Sequence, residues 1–234
     1  MVDVQRVLGE MKIGVVIPVY NEAKTIGQIV KALKVKGLDV VVIDDGSKDH
    51  SGEIAGQNGA VVLRHEQKQG KGTSLREGFE YVLQNNYDAV ITMDGDGQHG
   101  VDDIEKFIEK AQQMPSCVVT GTRMHNYQGM PFSRLWVNRI MSAMISALCR
   151  CQIPDTQCGY RYIGRTVLEK MRLSSRDYEI ESEVLIQASR NGFQIFSVPV
   201  RTIYSSELSK INPLVDTLRF FVFMGKQIFS HTQG

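Results

Sequence analysis

Short runs of β-branched and aliphatic residues, spaced so that a helix fits between one and the next, constrain this chain more than any other feature. Ile13 to Val19 (IGVVIPV), Leu38 to Asp44 (LDVVVID), Ala60 to His65 (AVVLRH), Asp88 to Asp94 (DAVITMD) and Cys117 to Gly121 (CVVTG) are apolar stretches of strand length. An apolar run without alternation is the signature of a strand covered on both faces. Helical periodicity fills the gaps at Thr25 to Lys36, Ser51 to Asn58, Thr73 to Asn85 and Asp102 to Gln113. This alternation predicts an α/β fold with an open, mostly parallel sheet flanked by helices. With 234 residues, 42% of them hydrophobic, the chain can bury one sizeable core, so a single domain over 1–234 is expected.

In open sheets of this kind ligands bind beyond the carboxyl ends of the strands. The polar clusters fall there: PVYNE after the first run, DDGSKD after the second, GDGQH after the fourth and Arg123 after the fifth. Within the third of these, Asp94 and Asp96 are separated by Gly95 alone. Carboxylates that close raise each other's pKa unless a positive charge lies between them. A hard divalent cation with oxygen ligands meets that need, although an ordinary polar turn uses the same residues.

Other chemistries are disfavoured by what the chain lacks. Lys and Arg number 27 against 26 Asp and Glu, a formal net charge of +1, so no global field draws nucleic acid. No G-x-G-x-x-G follows the first strand, and QGKGTS (Gln69 to Ser74) has Gly72 where a P-loop needs Ser or Thr. The cysteines form no C-x-x-C pair and follow no secretory signal, which reads as reduced thiols in a cytosolic protein. The spacing of Cys149, Cys151 and Cys158 fits no common zinc pattern. No apolar run reaches the ~18 residues of a spanning helix.

Taken in order and spacing, IPVYNE, VIDDGSKD, GKG and MDGDGQH resemble the family 2 glycosyltransferases of GT-A (Rossmann-like) fold, in particular the dolichol- and polyprenyl-phosphate sugar transferases. The resemblance implies that residues 11–125 form a half for donor nucleotide and metal, and 126–234 a half for acceptor and membrane docking. It implies that Pro18, Tyr20 and Glu22 border the donor nucleotide, with Ile43, Asp44 and Asp45 against base and ribose. Asp94 and Asp96, flanking Gly95, become the D-x-D pair that binds Mg²⁺ or Mn²⁺ and, through it, the donor diphosphate, with Gln98 as a further ligand. Arg123 matches a position near the donor phosphates. Such a metal would stabilise the charge that develops on a departing nucleoside diphosphate. Lys71, between two glycines, reads either as a further positive charge at those phosphates or as a solvated lysine at a helix start.

The second half changes character. Over Met130 to Arg150, Arg134, Asn138, Ser142, Ser146 and Arg150 recur at four-residue spacing, opposite Phe132, Leu135, Trp136, Ile140, Met144, Ile145 and Leu148. That amphipathic, basic pattern suits a membrane interface, with arginines at lipid phosphates, or else a core or dimer helix. Ile211 to Phe229 repeats the pattern and could lie on the membrane, cover the sheet or pair subunits in a homo-oligomer. Between them, PDTQCGYR, YEIESEV and VPVRTIYSSELSK are similar to segments of the polyprenyl-phosphate branch. That likeness makes Ser209 and Lys210 candidates for the acceptor phosphate, with Arg201 standing in for an arginine that branch members carry nearer the Ser-Lys pair.

The acceptor determines the mechanism. A phosphate monoester, with a second pKa of ~6, arrives ionised and attacks the anomeric carbon unaided, whereas a hydroxyl needs a carboxylate base. Asp155, Glu181 and Glu183 are the candidates. The expected function is inverting transfer of a sugar from a nucleotide donor, GDP-mannose or a UDP-hexose, to a polyprenyl phosphate at the cytoplasmic membrane face. A hydroxyl acceptor is the alternative. A calcium loop is a remote third: Asp94, Asp96, Gln98, Gly100, Asp102 and Glu105 match EF-hand positions, but His99 replaces the turn glycine and a strand precedes the loop. A sugar nucleotidyltransferase would carry a glycine- and arginine-rich loop where PVYNE stands.

Overall fold

Alternate residues of each central strand enter different cores, which is why the runs are apolar throughout. In β1 (Ile13–Val19), Val15, Ile17 and Val19 join one cluster and Val16 the other. The same division holds for Val40 and Val42 against Val41 and Ile43 in β2 (Asp39–Asp44), and for Ile91 against Val90 in β4 (Ala89–Thr92). The computed structural model describes residues 11–123 and 132–203 together with 219, 220, 222–225 and 227, and for 132–134 the helix but not the side chains.

The first core is closed by α1 (Ile26–Val35), α2 (Ser51–Gln57) and α4 (Ile104–Gln113), which enters through a 3-10 turn at Val101–Asp103. The second is closed by α3 (Lys71–Gln84), α5 (Phe132–Cys149), α6 (Arg165–Lys170) and α7 (Ile180–Arg190). With β3 (Val61–Arg64), β5 (Cys117–Thr122), β6 (Arg161–Gly164) and β7 (Gln194–Pro199), the sheet has seven strands in the order β3-β2-β1-β4-β6-β5-β7. All pairings are parallel except those of β6, which runs against both β4 and β5. The expected α/β architecture is therefore present, with a mixed sheet and helices on both faces.

The reversed β6 matters for the site. Because Thr92 pairs with Arg161 at its start, the residues just before β6 arrive at the same sheet edge as the carboxyl end of β4. Thr92 Oγ1 fastens them there by donating to the Gly159 carbonyl at 2.7 Å. A four-residue strand opening on a buried arginine carries too little periodicity to be read from sequence.

Helix α5 divides its apolar residues, Leu135 and Ile145 entering the core while Trp136 and Ile140 stay exposed. Its polar stripe faces inward: Asn138 and Ser142 are buried, while Trp136 is 51% and Ile140 50% exposed. The reason is hydrogen bonding. Ser142 Oγ accepts from the Thr156 amide at 3.0 Å and Ser146 Oγ from the Ile153 amide at 3.0 Å, so the stripe supplies acceptors to a buried segment that has no strand partner there.

Candidate active site

Asp94 is the hub. It follows β4, and one of its oxygens, Oδ1, lies 2.5 Å from Lys71 Nζ at the first turn of α3. The same ammonium stands 2.8 Å from Glu181 Oε1, whose other oxygen is 3.2 Å from Arg161 Nη2. Burial, the largest single effect, would raise the Asp94 carboxyl, but the charge and hydrogen bond of Lys71 together with His99 and Arg123 outweigh it and lower the pKa to about 2. Burial likewise opposes the charge on Lys71, and the two carboxylates reverse that, raising its pKa.

The glycines around Lys71 make room for a neighbouring loop. A Cβ on Gly72 would lie 2.5 Å from the Ser175 carbonyl oxygen, and one on Gly70 2.5 Å from that of Arg176. The space is filled by a loop of the same chain, whose Arg176 carbonyl accepts from the Gly72 amide at 2.7 Å and caps α3. The Lys71 ammonium is thus paired with carboxylates and only 17% exposed, unlike a solvated lysine at a helix start, and it stands beside Asp94 on the edge where the donor phosphates were expected.

The β1 and β2 loops interlock before meeting the site. The Asn21, Glu22 and Ala23 amides donate to Ser47 Oγ, Ser51 Oγ and Asp49 Oδ2 at 3.0, 2.8 and 3.0 Å. Pro18, Tyr20 and Glu22 are partly exposed along this rim, with Lys68 Nζ 4.3 Å from the Tyr20 ring centroid. Ile43 and Asp44 are fully buried, Ile43 in the core beneath α3 and Asp44 with Oδ1 on the Ser47 amide. Neither side chain presents exposed surface, so an approach of base or ribose to this stretch would meet its backbone. Asp45 is also buried: Oδ1 meets His65 Nδ1 and the Gln69 amide, both at 2.7 Å, and Oδ2 accepts from the Gly70 amide at 2.9 Å. It shapes the loop that delivers Lys71.

The candidate bases are committed elsewhere. Asp155 is fully buried and accepts from Arg123 Nε at 2.7 Å and Nη2 at 3.0 Å, and from the Arg123 and Gln157 amides. Burial would raise its pKa, but Arg123 overrides that and lowers it, the reverse of what a base needs. Asp155 thus positions Arg123 rather than taking a proton. Glu183 accepts from the Ser174 and Ser175 amides at 2.9–3.0 Å and from Ser174 Oγ, so it holds the loop packed on Gly72. Glu181, 5% exposed, is shared by Lys71 and Arg161.

Asp96 and Gln98 are partly exposed, and Asp96 Oδ1 accepts from the Gln98 amide at 2.9 Å. Among the described residues no three His, Cys, Asp or Glu side chains cluster closely enough to cage a metal. The donor set nevertheless fits Mg²⁺ or Mn²⁺: Asp94 already holds a cation in the Lys71 ammonium, Asp96 opens to solvent beside it, and hard ions complete their shells with water and phosphate oxygens. Because β4 precedes this loop, no EF-hand forms.

Two contributors had no role in the sequence reading. His99 is buried and stacked on Tyr160 at 5.1 Å between centroids, and its Nδ1 accepts from the Asp94 amide at 3.3 Å. Burial lowers its pKa, so a neutral ring carries its proton on Nε2, 4.0 Å from Asp94 Oδ2. Its place three residues after Asp96 was the available signal. Arg161 is fully buried, donating to the carbonyls of Thr156, Cys158 and Glu181, and so ties the Asp155 segment to α7. Arg201, by contrast, lies with its amide 2.7 Å from Asp103 Oδ2 and its guanidinium near Asp102 and Asp103. Arg134 belongs to α5, but its side chain, like Ser209 and Lys210 altogether, lies outside the described residues.

The sequence model of Glycosyl transferase family 2 matches residues 14–172. The UDP-N-acetylglucosamine dolichyl-phosphate N-acetylglucosaminyltransferase of Methanococcus voltae is 30% identical over 221 residues, covering 85% of this chain and 88% of its own. The polyprenol monophosphomannose synthase of Mycolicibacterium smegmatis is 28% identical over 202 residues, 80% of this chain and 75% of its own. Among solved structures, glucosyl-3-phosphoglycerate synthase from Mycobacterium tuberculosis, in complex with Mn²⁺, UDP and phosphoglyceric acid, superposes with a TM-score of 0.69 at 20% identity. The match covers 88% of this chain and 74% of that one, a likeness of fold.

Proposed function

The chain belongs to glycosyl transferase family 2, and from that premise we propose that it moves a sugar from a nucleotide donor, GDP-mannose or a UDP-hexose, to a polyprenyl phosphate, with inversion. The observation that carries the acceptor reading is the commitment of Asp155, Glu181 and Glu183 to Arg123, to Lys71 and Arg161, and to the Ser174 and Ser175 amides. A hydroxyl nucleophile needs a base, whereas an ionised phosphate does not. The names of the M. voltae and M. smegmatis relatives support the same acceptor class.

In this reading a phosphate oxygen of the acceptor attacks the anomeric carbon as the bond from that carbon to the donor diphosphate breaks. Mg²⁺ or Mn²⁺ held by Asp94 and Asp96, with Gln98, would stabilise the charge left on the diphosphate. Gly95 keeps the pair close, the neutral His99 ring fixes the backbone of Asp94, and Arg123, oriented by Asp155, adds positive charge on the same edge. Pro18, Tyr20 and Glu22 form the donor rim. Arg134, Arg201, Ser209 and Lys210 are assigned to the acceptor side.

The exposed side of α5 is where the protein would meet the membrane. Trp136, Val137 and Ile140 are exposed there, Arg139 lies beside them, and Phe132–Cys149 contains no acidic residue. Such a surface suits an anionic lipid interface. No helix among the described residues is long and apolar enough to cross a membrane; in this reading the exposed side of α5 makes the contact, at the cytoplasmic face.

A transfer assay with Mn²⁺ or Mg²⁺, a panel of GDP- and UDP-sugars and short-chain polyprenyl phosphate tests the reading. Lipid-dependent release of nucleoside diphosphate, lost in Asp96→Ala with the circular dichroism spectrum unchanged, is the expected result. Donor binding without lipid-dependent release would replace the phosphate with a hydroxyl acceptor and make Asp155, Glu181 and Glu183 the next residues to change.

A further inference from the structure

We propose that Lys71 is an internal counter-ion that a divalent cation must displace from Asp94, with Glu181 as the site that receives it, so that metal loads weakly until a nucleoside diphosphate arrives. The inference rests on the reading of Asp94 and Asp96 as metal ligands. Lys71 begins α3, where the helix dipole disfavours a cation. Its tolerance there comes from two carboxylates far away in sequence, Asp94 at 2.5 Å and Glu181 at 2.8 Å. The chain also leaves room for the pair: a Cβ on Gly159 would lie 2.7 and 2.9 Å from the Asp94 oxygens and 3.0 Å from Lys71 Nζ.

An ammonium 2.5 Å from Oδ1 occupies ground that a metal bound through Asp94 would need. A metal at ~2.1 Å from the same oxygen would put two cations within a few ångströms, in a partly buried setting (side chains 17% and 28% exposed) where water screens them less than in bulk. One must yield. The backbone of Lys71 is fixed by the Arg176 cap on the next two amides, so movement falls to its side chain. Glu181 already touches the ammonium and is anchored by Arg161. The negative charge of a donor diphosphate would offset the crowding, which couples metal and nucleotide binding.

Mn²⁺ binding followed by electron paramagnetic resonance tests this without turnover. Lys71→Met should bind Mn²⁺ at least tenfold more tightly than wild type in the absence of nucleotide, and should lose most of the gain in affinity that UDP or GDP confers. Lys36→Met removes the same charge from a pair with Asp102 and Glu105 and should stay within twofold of wild type. Glu181→Gln should weaken nucleotide-free binding, because Lys71 then depends on Asp94 alone; this arm decides the matter if Lys71→Met fails to fold. Equal affinity in wild type and Lys71→Met, or equal gains in Lys71→Met and Lys36→Met, overturns the counter-ion role while the metal reading stands. Absence of Mn²⁺ binding in every variant, with or without UDP or GDP, overturns both.

Discussion

Truncating Asp155 to alanine should unfold this protein more readily than any change of comparable size at its surface. Its carboxylate lies 2.7 Å from Arg123 Nε and 3.0 Å from Nη2, and also receives the Arg123 and Gln157 amides at 3.3 and 3.2 Å. The side chains are 11% and 0% exposed, so alanine leaves a guanidinium and two amides without an acceptor and with little water to replace it. Breaking one side of a buried pair costs about 3–5 kcal/mol. At about 2–4 °C per kcal/mol for a chain of this length, the melting temperature should fall by roughly 6–20 °C. Urea titration and thermal melts at pH 7 measure both. The paired change Arg123→Met with Asp155→Leu should recover most of the loss, because it removes both charges. Acid supplies a further check. The folded pKa of Asp155 is lowered relative to its unfolded value of ~3.9, so its contribution is full above that value and is lost as pH falls through the folded one. Wild type and Asp155→Ala should converge in acid. A loss under about 1 kcal/mol at unchanged m-value, or a double variant no better than the single, refutes the assignment.

Other consequences follow from single contacts. Gly72→Ala places a Cβ 2.5 Å from the Ser175 carbonyl oxygen and 2.7 Å from the Arg176 carbonyl carbon, an overpacking that should cost about 1–3 kcal/mol in urea titration; an unchanged midpoint would mean that loop yields freely. Burial would lower the pKa of His65, but hydrogen bonds to Asp45 and Glu77 raise it. Its contribution should therefore be full below its unfolded value of ~6.5 and fade as pH rises through the folded value; a stability gap between wild type and His65→Asn that stays constant from pH 6 to 9 contradicts this. Trp136→Glu combined with Ile140→Glu should cut co-sedimentation with anionic vesicles several-fold and leave the melting temperature nearly unchanged, since the residues are 51% and 50% exposed. Equal sedimentation would remove α5 from the membrane contact.

Local pattern was enough for most of the architecture. The strands β1 to β5 and the helices between them were legible within a residue or two, because each advertises its environment in its own periodicity, and the position of polar residues after strands located the site edge. The motifs around Asp94 pointed to the family. What local pattern could not convey was which distant groups meet. The spacing of Asn138, Ser142 and Ser146 revealed a polar stripe on α5, yet its inward direction depends on the amides of Ile153 and Thr156, which have no strand partner and donate to Ser146 and Ser142. The reversal of β6 brings Gly159 and Arg161 to the carboxyl end of β4, and no periodicity within RYIG announces it. Lys71 and its glycines were visible as a motif, but their partners, Asp94, Glu181 and the carbonyls of Ser175 and Arg176, lie far along the chain. By itself the sequence determined the layers, the site edge and the residue types available there. Tertiary structure alone decided the pairing of charges, because Coulomb energy and desolvation depend on through-space distance and burial, which sequence separation does not encode.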